Sequence, residues 1–403
     1  MLFNFGAKSS ILLIFFVNGI VFSILLIKKG MENNDKPSYW LSLFTILCTL
    51  YIAPFMLGYA GWYTTNPYRD ILFYVPFQQL FLIPPVLYFY CKTLFDKSFV
   101  FQGKRNLIHF VPALLYLLYA LIIFVTDKFV LGESYFYKDG RDKDFSFWYQ
   151  FSGFAMLFFY LIKSLEIYNR YKAMTYDTIS YADSLTFSWA KRFLLGFVTL
   201  LFIRLLFFIL NPEWAEFGRK FWYYLLFSIL FYYISISGFI NSIRSVTSFK
   251  DSLIKPASHS DQDAFPPSEP ATPHSDDPGE PEPKNEIKDI AIWMAKIETL
   301  MVKDKMYEDP ELSIYHISQK LDTHSKRISQ VINQGFSMNF NDYINQHRVK
   351  AAVQKIKAGE HTLQTLLGIG YACGFNSKST FNRAFKRHTA QSPNDFIKKN
   401  IPE

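Results

Sequence analysis

The chain of 403 residues has only three cysteines, Cys48, Cys91 and Cys373, and no C-x-x-C pair. Neither a zinc site nor a disulfide framework can be assembled from them. No metal is expected, and the three thiols read as small apolar core residues. Signatures of catalysis are missing as well. There is no H-E-x-x-H helix, Walker loop, kinase signature or nucleophile elbow. Gly368-x-Gly370-x-x-x-Gly374 is not the dinucleotide fingerprint, because no strand precedes it and the spacing is wrong. No cofactor and no enzymatic role are expected. Charge is scarce over long stretches, and this absence is the most informative one. A single soluble globule, a fully disordered chain and a secreted disulfide scaffold are all excluded.

The distribution is uneven. Of the 43 Phe, only Phe265, Phe336, Phe340, Phe375, Phe381, Phe385 and Phe396 follow Lys250. Net charge is +7 over 1–243, −4 over 244–285 and +5 over 286–403, so three regions of different character follow one another. In the first, seven windows approach the roughly 20 apolar residues that cross a bilayer core. They are 11–27, 39–59, 71–91, 107–126, 145–162, 193–210 and 221–240, and six of them lack Asp, Glu, Lys and Arg altogether. A soluble core helix of that length would keep a polar face. Trp40, Trp62, Trp148, Trp189, Trp214 and Trp222 sit at or just beyond window ends, as an interfacial aromatic belt does. The basic pair Lys28 and Lys29 follows the first window instead of preceding it, unlike a cleaved signal peptide.

These features predict a seven-helix transmembrane bundle with the N-terminus outside and the chain after Ile243 in the cytoplasm. Lys and Arg are biased the same way, 12 in the inner loops against 8 in the N-tail and outer loops. Pro54, Pro76, Pro84, Pro85 and Pro112 fall within windows, where each removes a backbone donor and can kink a helix around a cavity. The one charge inside a window is Arg204, at an insertion cost of about 2.5–3.5 kcal/mol. It is expected to face the bundle interior, with Gln78, Gln79 or tyrosines as available partners. Arg204, Gln78 and Gln79 are candidates for a ligand or switch site, against the alternative of an arginine satisfied by backbone carbonyls or water. His109 reads as a hydrogen-bonded structural residue.

Between 256 and 283 come eight prolines with Asp, Glu and Ser. Such a stretch has too few core-forming residues to offset the entropy of folding, so 244–285 reads as a disordered cytoplasmic tether. It is too flexible to carry torque, which leaves dimer avidity or charge shielding as routes of control.

The last region, 286–403, is helical throughout. Ile287, Ile290, Met294, Ile297 and Met301 make an apolar stripe. Two short-helix, tight-turn, helix units follow, at about 313–334 and 363–388. Each has a small residue in its first helix (Ser318, Gly370), a turn residue tolerant of left-handed geometry (Asp322, Gly374) and apolar anchors four apart (Ile328/Ile332, Phe381/Phe385). Thr362 is expected to cap the first helix of the second unit. The outward faces offer Lys326, Arg327, Ser329, Gln330 and Asn333, then Lys378, Ser379, Thr380, Asn382, Arg383 and Lys386. These side-chain types read base edges and grip phosphates.

The stretches D-P-E-L, I-S-Q-V-I-N, F-N-D-Y-I-N-Q-H-R-V-K-A-A and G-F-N-S-K-S-T-F-N-R-A-F-K-R, then S-P-N-D-F, give 312–396 a resemblance to the AraC/XylS family of bacterial transcription factors. The resemblance implies a seven-helix domain whose two helix-turn-helix units, joined by a long helix, enter successive major-groove segments. It implies Lys326, Ser329 and Gln330, and Ser379, Thr380, Asn382 and Arg383, as base or phosphate contacts, with Arg348 and Phe385 structural. Asp322 stands where the family usually has Gly, and Gly370 where Ala is usual. The first region is unlike the soluble sugar-binding part of familiar members, so their effectors do not carry over.

The resulting expectation is an all-α, multi-pass protein of a bacterial inner membrane that couples an external or membrane signal to gene expression. Double-stranded DNA, membrane lipid, a small-molecule or membrane signal and a second copy of the chain are its expected partners. The rival is a transporter or channel with a basic, protein-docking tail. The topology is open to direct test. A cysteine replacing Lys138 is expected to react with an impermeant thiol reagent on intact cells, and one replacing Ser260 is not; the reverse labelling would invert the topology.

Overall fold

The computed structural model describes residues 5–96, 99, 101, 103–138, 146–185, 188–210, 221–252 and 289–400. Over these residues the chain is all-α, with one isolated antiparallel bridge between Ile179 and Ser313. It divides into two compact units. One comprises Met1–Lys172 and Phe187–Ser245, and the other Ala173–Thr186 and Val246–Glu403.

In chain order the first helices are α1 (Ala7–Asn33), α2 (Lys36–Tyr59), α3 (Tyr68–Tyr74), α4 (Ile83–Phe95), α5 (Gly103–Leu107), α6 (Val111–Val125), α7 (Phe147–Thr178), α8 (Ala182–Leu185), α9 (Ser188–Leu210) and α10 (Phe221–Ser252). Among the described residues, five helical stretches are long and apolar enough to cross a membrane: Ala7–Asn33, Lys36–Tyr59, Gly103–Leu131, Phe147–Thr178 and Phe221–Ile240. They overlap the first, second, fourth, fifth and seventh windows. α9 covers the sixth as a helix, but the side chain of Arg204 lies outside the described residues.

α1 and α2 pack through small residues. A Cβ on Gly19 would stand 2.0 Å from Thr49 Oγ1, so only glycine permits this approach. Ser42 Oγ donates to Ser23 O at 2.8 Å and Ser23 Oγ donates back to Ser42 O at 3.3 Å. Of the basic pair used to orient the first window, only Lys28 is solvent-facing. Lys29 is buried and donates to Phe239 O at 2.6 Å. His109 fits its structural reading, with Nδ1 2.6 Å from Tyr160 Oη.

The third window departs from its prediction as one helix. It contains the end of α3, a non-helical stretch over 75–82, and α4. Pro76 lies in the break, and Pro84 and Pro85 start α4, where a missing N–H costs nothing. Irregular backbone in apolar surroundings must find side-chain partners. Tyr149 on α7 supplies them. Its hydroxyl accepts from Leu80 N at 3.1 Å and donates to Gln78 O. Pro112 likewise sits in the first turn of α6, leaving Pro54 as the window proline inside a helix. The cavity lined by Tyr51, Leu80, Pro84, Phe197, Tyr223 and Phe227 is small, about 20 Å³, which is room for one water.

α10 continues to Ser252, so 244–252, read above as tether, is helical. Nothing between Asn241 and Ser252 is Pro or Gly, and the first breaker is Pro256. The proline-rich segment 256–283 lies outside the described residues.

The second unit continues with α11 (Ile290–Val302), α12 (Ile314–Lys320), α13 (Ser325–Gly335), α14 (Phe340–Lys357), α15 (Leu366–Ala372), α16 (Lys378–Thr389) and α17 (Pro393–Asn400). It has two apolar cores. One gathers Ile297, Met301, Leu312, Ile317, Ile328 and Ile332. The other gathers Ile369, Cys373, Phe375, Phe381, Ala384 and Phe385. α14 serves both, giving Phe340, Tyr343 and Ile344 to the first and Val349, Ala352 and Ile356 to the second.

Arg348 lies on α14 between those two sets and is 1% exposed. Its Nε donates to Tyr307 O at 2.8 Å and Nη2 to Asp309 O at 2.6 Å. Nη2 also donates to Ser180 Oγ at 3.0 Å. Burial lowers its pKa to about 10, with Asp309 opposing, so it stays charged at neutral pH. Arg348→Met would leave these acceptors buried without their donor. It is expected to lower the stability of this unit by about 3 kcal/mol or more, read from hydrogen exchange of the α14 amides in the full chain.

Candidate nucleic-acid interface

The first helix-turn-helix is α12–turn–α13. Ser318 is buried at the crossing, donating to Tyr315 O at 2.8 Å and lying 3.1 Å from Ser325 Oγ. Asp322 takes the left-handed conformation at φ 47°, so the departure from Gly keeps the turn. α13 is strongly two-faced. Ile328, Val331 and Ile332 are buried, while Lys326, Arg327 and Asn333 are exposed and Ser329 and Gln330 half-buried. Arg327 lies over the Trp293 ring of α11 at 5.2 Å, so its stem is packed and its charge displayed. Asn333 Nδ2 donates to Ser329 Oγ at 3.3 Å.

The second unit is α15–turn–α16. The cap of α15 is Thr365, not Thr362. Thr365 Oγ1 accepts from Gly368 N at 3.0 Å, and Thr362 instead ends a short 3-10 turn. Gly370 meets the Phe381 ring, where a Cβ would come within 3.0 Å. Gly374 has φ +89°, and a Cβ there would fall 2.3 Å from Tyr307 O. Ser377 caps α16 by accepting from Thr380 N at 3.2 Å.

On α16, Phe381, Ala384 and Phe385 face the core, and Lys378, Ser379, Asn382, Arg383 and Lys386 are exposed. Thr380 does not belong with them. It is 2% exposed and its hydroxyl lies 2.9 Å from Ser377 Oγ, so it helps close the cap. Phe385, fully buried and edge-on to Phe396, is structural as the resemblance implied.

Two partners were illegible in the sequence. Arg387, one turn after Arg383, is paired with Asp342 of α14. Arg383 itself is paired with Asp183, at the end of a segment some two hundred residues earlier in the chain. No periodicity or motif marks Asp183; the one signal is that 173–186 is too polar to continue a span.

The sequence grouped Arg204, Gln78 and Gln79. Arg204 lies outside the described side chains. Gln78 has these partners among the described residues: Nε2 donates to Tyr224 Oη at 3.2 Å, and Oε1 accepts from Gln150 Nε2 at 3.0 Å. Gln79 donates to Pro76 O. Both glutamines therefore stitch the break between α3 and α4.

Among the described residues there is no group of His, Cys, Asp and Glu that could hold a metal. Residues 317–399 match a family model described as a helix-turn-helix domain, of AraC type. No curated protein and no solved structure matches the chain.

Gly374→Ala is expected to cost about 2 kcal/mol or more, since the left-handed backbone and the carbonyl contact both oppose a side chain. Loss of exchange protection in α15 and α16, with α1 and α2 unchanged, would report it.

Proposed function

We propose that this chain, a DNA-binding transcription regulator by its AraC-type helix-turn-helix domain, works from the membrane. The observation that carries this reading is the presence on one chain of apolar helices long enough to span and a domain with two helix-turn-helix units. Each second helix of those units displays Lys, Arg and Asn on its outer face. From 312 onward there are 13 Lys+Arg against five Asp+Glu, the charge balance a polyphosphate partner attracts.

In this reading Lys326, Arg327, Ser329, Gln330 and Asn333 of α13 face one major-groove segment. Lys378, Ser379, Asn382, Arg383 and Lys386 of α16 face the next. Arginine and asparagine carry base readout, because their paired donors and acceptors match guanine and adenine edges. The lysines and serines position the domain on phosphates. Thr380 is left out, being buried.

DNA is cytoplasmic, so the second unit belongs on that side. Topology supports this. Ala173–Thr186 and the C-terminal helices share one compact unit, and only α9 and α10 lie between them in the chain. α10 is long and apolar enough to cross, and with α9 crossing as well the chain would return to the side it left. The signal would be received by the spanning helices. Pairing of two chains would then raise operator affinity by avidity.

The test compares two substitutions in the same helix. Arg383→Ala is expected to cost about 1–3 kcal/mol and to relax base preference at one operator position. Lys386→Ala should weaken all sequences alike and flatten the salt slope by about one unit. Uniform loss in both would remove base reading from Arg383.

A further inference from the structure

The segment Ala173–Thr186 sits in the chain between two apolar helices, yet it is built into the DNA-binding unit. Its backbone is held at both polar groups of one residue. Ser180 N donates to Leu312 O at 3.1 Å, and Ser180 O accepts from Asn341 Nδ2 at 2.7 Å. Asn341 is itself set by Asn345, whose Nδ2 donates to Asn341 Oδ1 at 3.0 Å. Ile179 pairs with Ser313 in an antiparallel bridge, next to the start of α12. The Ser180 hydroxyl reaches the buried Arg348 guanidinium. This is a docked turn, with hydrogen bonds to residues beside α12 and on α14.

One turn further on stands Asp183, its side chain 9% exposed and its carboxylate held by the Tyr176 hydroxyl. The same carboxylate pairs with Arg383 on α16. A guanidinium takes a carboxylate, a phosphate or the O6/N7 edge of guanine with the same kind of donors. Nη2 engaged by a carboxylate leaves fewer donors for DNA, and the carboxylate's charge repels a phosphate brought to the same place. The docked segment therefore places a carboxylate where DNA would have to place a phosphate or a base.

We propose that Ala173–Thr186 is an autoinhibitory element, with Asp183 acting as a one-residue DNA mimic on Arg383. DNA binding requires this segment to withdraw or Asp183 to swing aside. The segment connects α7 to α9 in the chain, so a shift between those helices is the natural means of moving it. Control then needs no rigid transmission through the proline-rich segment. The inference rests on the DNA-binding reading of α16.

The experiment uses the full chain in lipid nanodiscs and a pool of duplexes with a randomised centre. Retention is compared for the wild-type chain, Asp183→Asn and Glu311→Gln. Glu311 is an exposed acid of the same unit outside the segment, so its neutralisation measures the general effect of removing a negative charge. Asp183→Asn is expected to raise DNA affinity about fivefold, and Glu311→Gln much less. Hydrogen exchange of the Ser180 amide supplies a readout that needs no variant. It should be protected in the wild-type chain alone and lose protection when DNA is bound. Equal effects of the two substitutions, or a Ser180 amide that stays protected with DNA bound, would overturn autoinhibition and leave DNA binding standing. Retention of no duplex by any of the three chains would instead overturn the DNA-binding reading, and this inference with it.

Discussion

The second unit is organised around one buried cation. Arg348 sits where α14 passes from the first apolar core to the second. A guanidinium has five N–H donors in a plane and no acceptor, so it can be buried only where several acceptors converge. Here Tyr307 O, Asp309 O and Ser180 provide them, from two places far apart in the sequence. Because they are fixed to one side chain, the turn before α12, the helix α14 and the distant 173–186 segment share one geometry. Gly374 closes the same region, packing against the Tyr307 and Glu308 carbonyls too tightly for any Cβ. The relative placement of the two helix-turn-helix units thus depends on polar contacts beside α14 as much as on apolar packing.

The first unit solves a different problem. Where apolar helices break, water is not at hand to satisfy the backbone. Tyr149, Gln150 and Tyr224 meet the 75–82 break from α7 and α10, and Gln78 lies among them. Gln78 and Gln79, grouped with Arg204 in the sequence, both make hydrogen bonds at this break.

Much of this was readable in advance, and the failures have physical causes. The helix-turn-helix units follow from local chemistry: apolar anchors four apart, a left-handed turn residue and a small residue at the crossing. Those signals placed α12 to α16 within a few residues of their ends. The caps were less secure, because Thr362 and Thr365 are both good N-cap residues and only the three-dimensional turn chooses between them. Thr380 lay on the outward arc of α16 but is drawn in by the Ser377 cap. The broken third window could not be seen, because composition alone does not distinguish a continuous helix from two helices with tyrosine-supported backbone between. Asp183 was invisible for the plainest reason. Its partner is non-local, and a single acid in a polar loop has no pattern to announce it.

The central claim is that a chain held in the membrane reads specific DNA. Mapping crosslinked sites across the genome for the full chain, beside a chain ending before residue 289, addresses it most directly. The account expects the full chain to mark a discrete set of sites sharing a two-part motif, with half-sites one helical turn apart on the duplex, and the truncated chain to mark none. A full chain with the same featureless profile as the truncated one would contradict it.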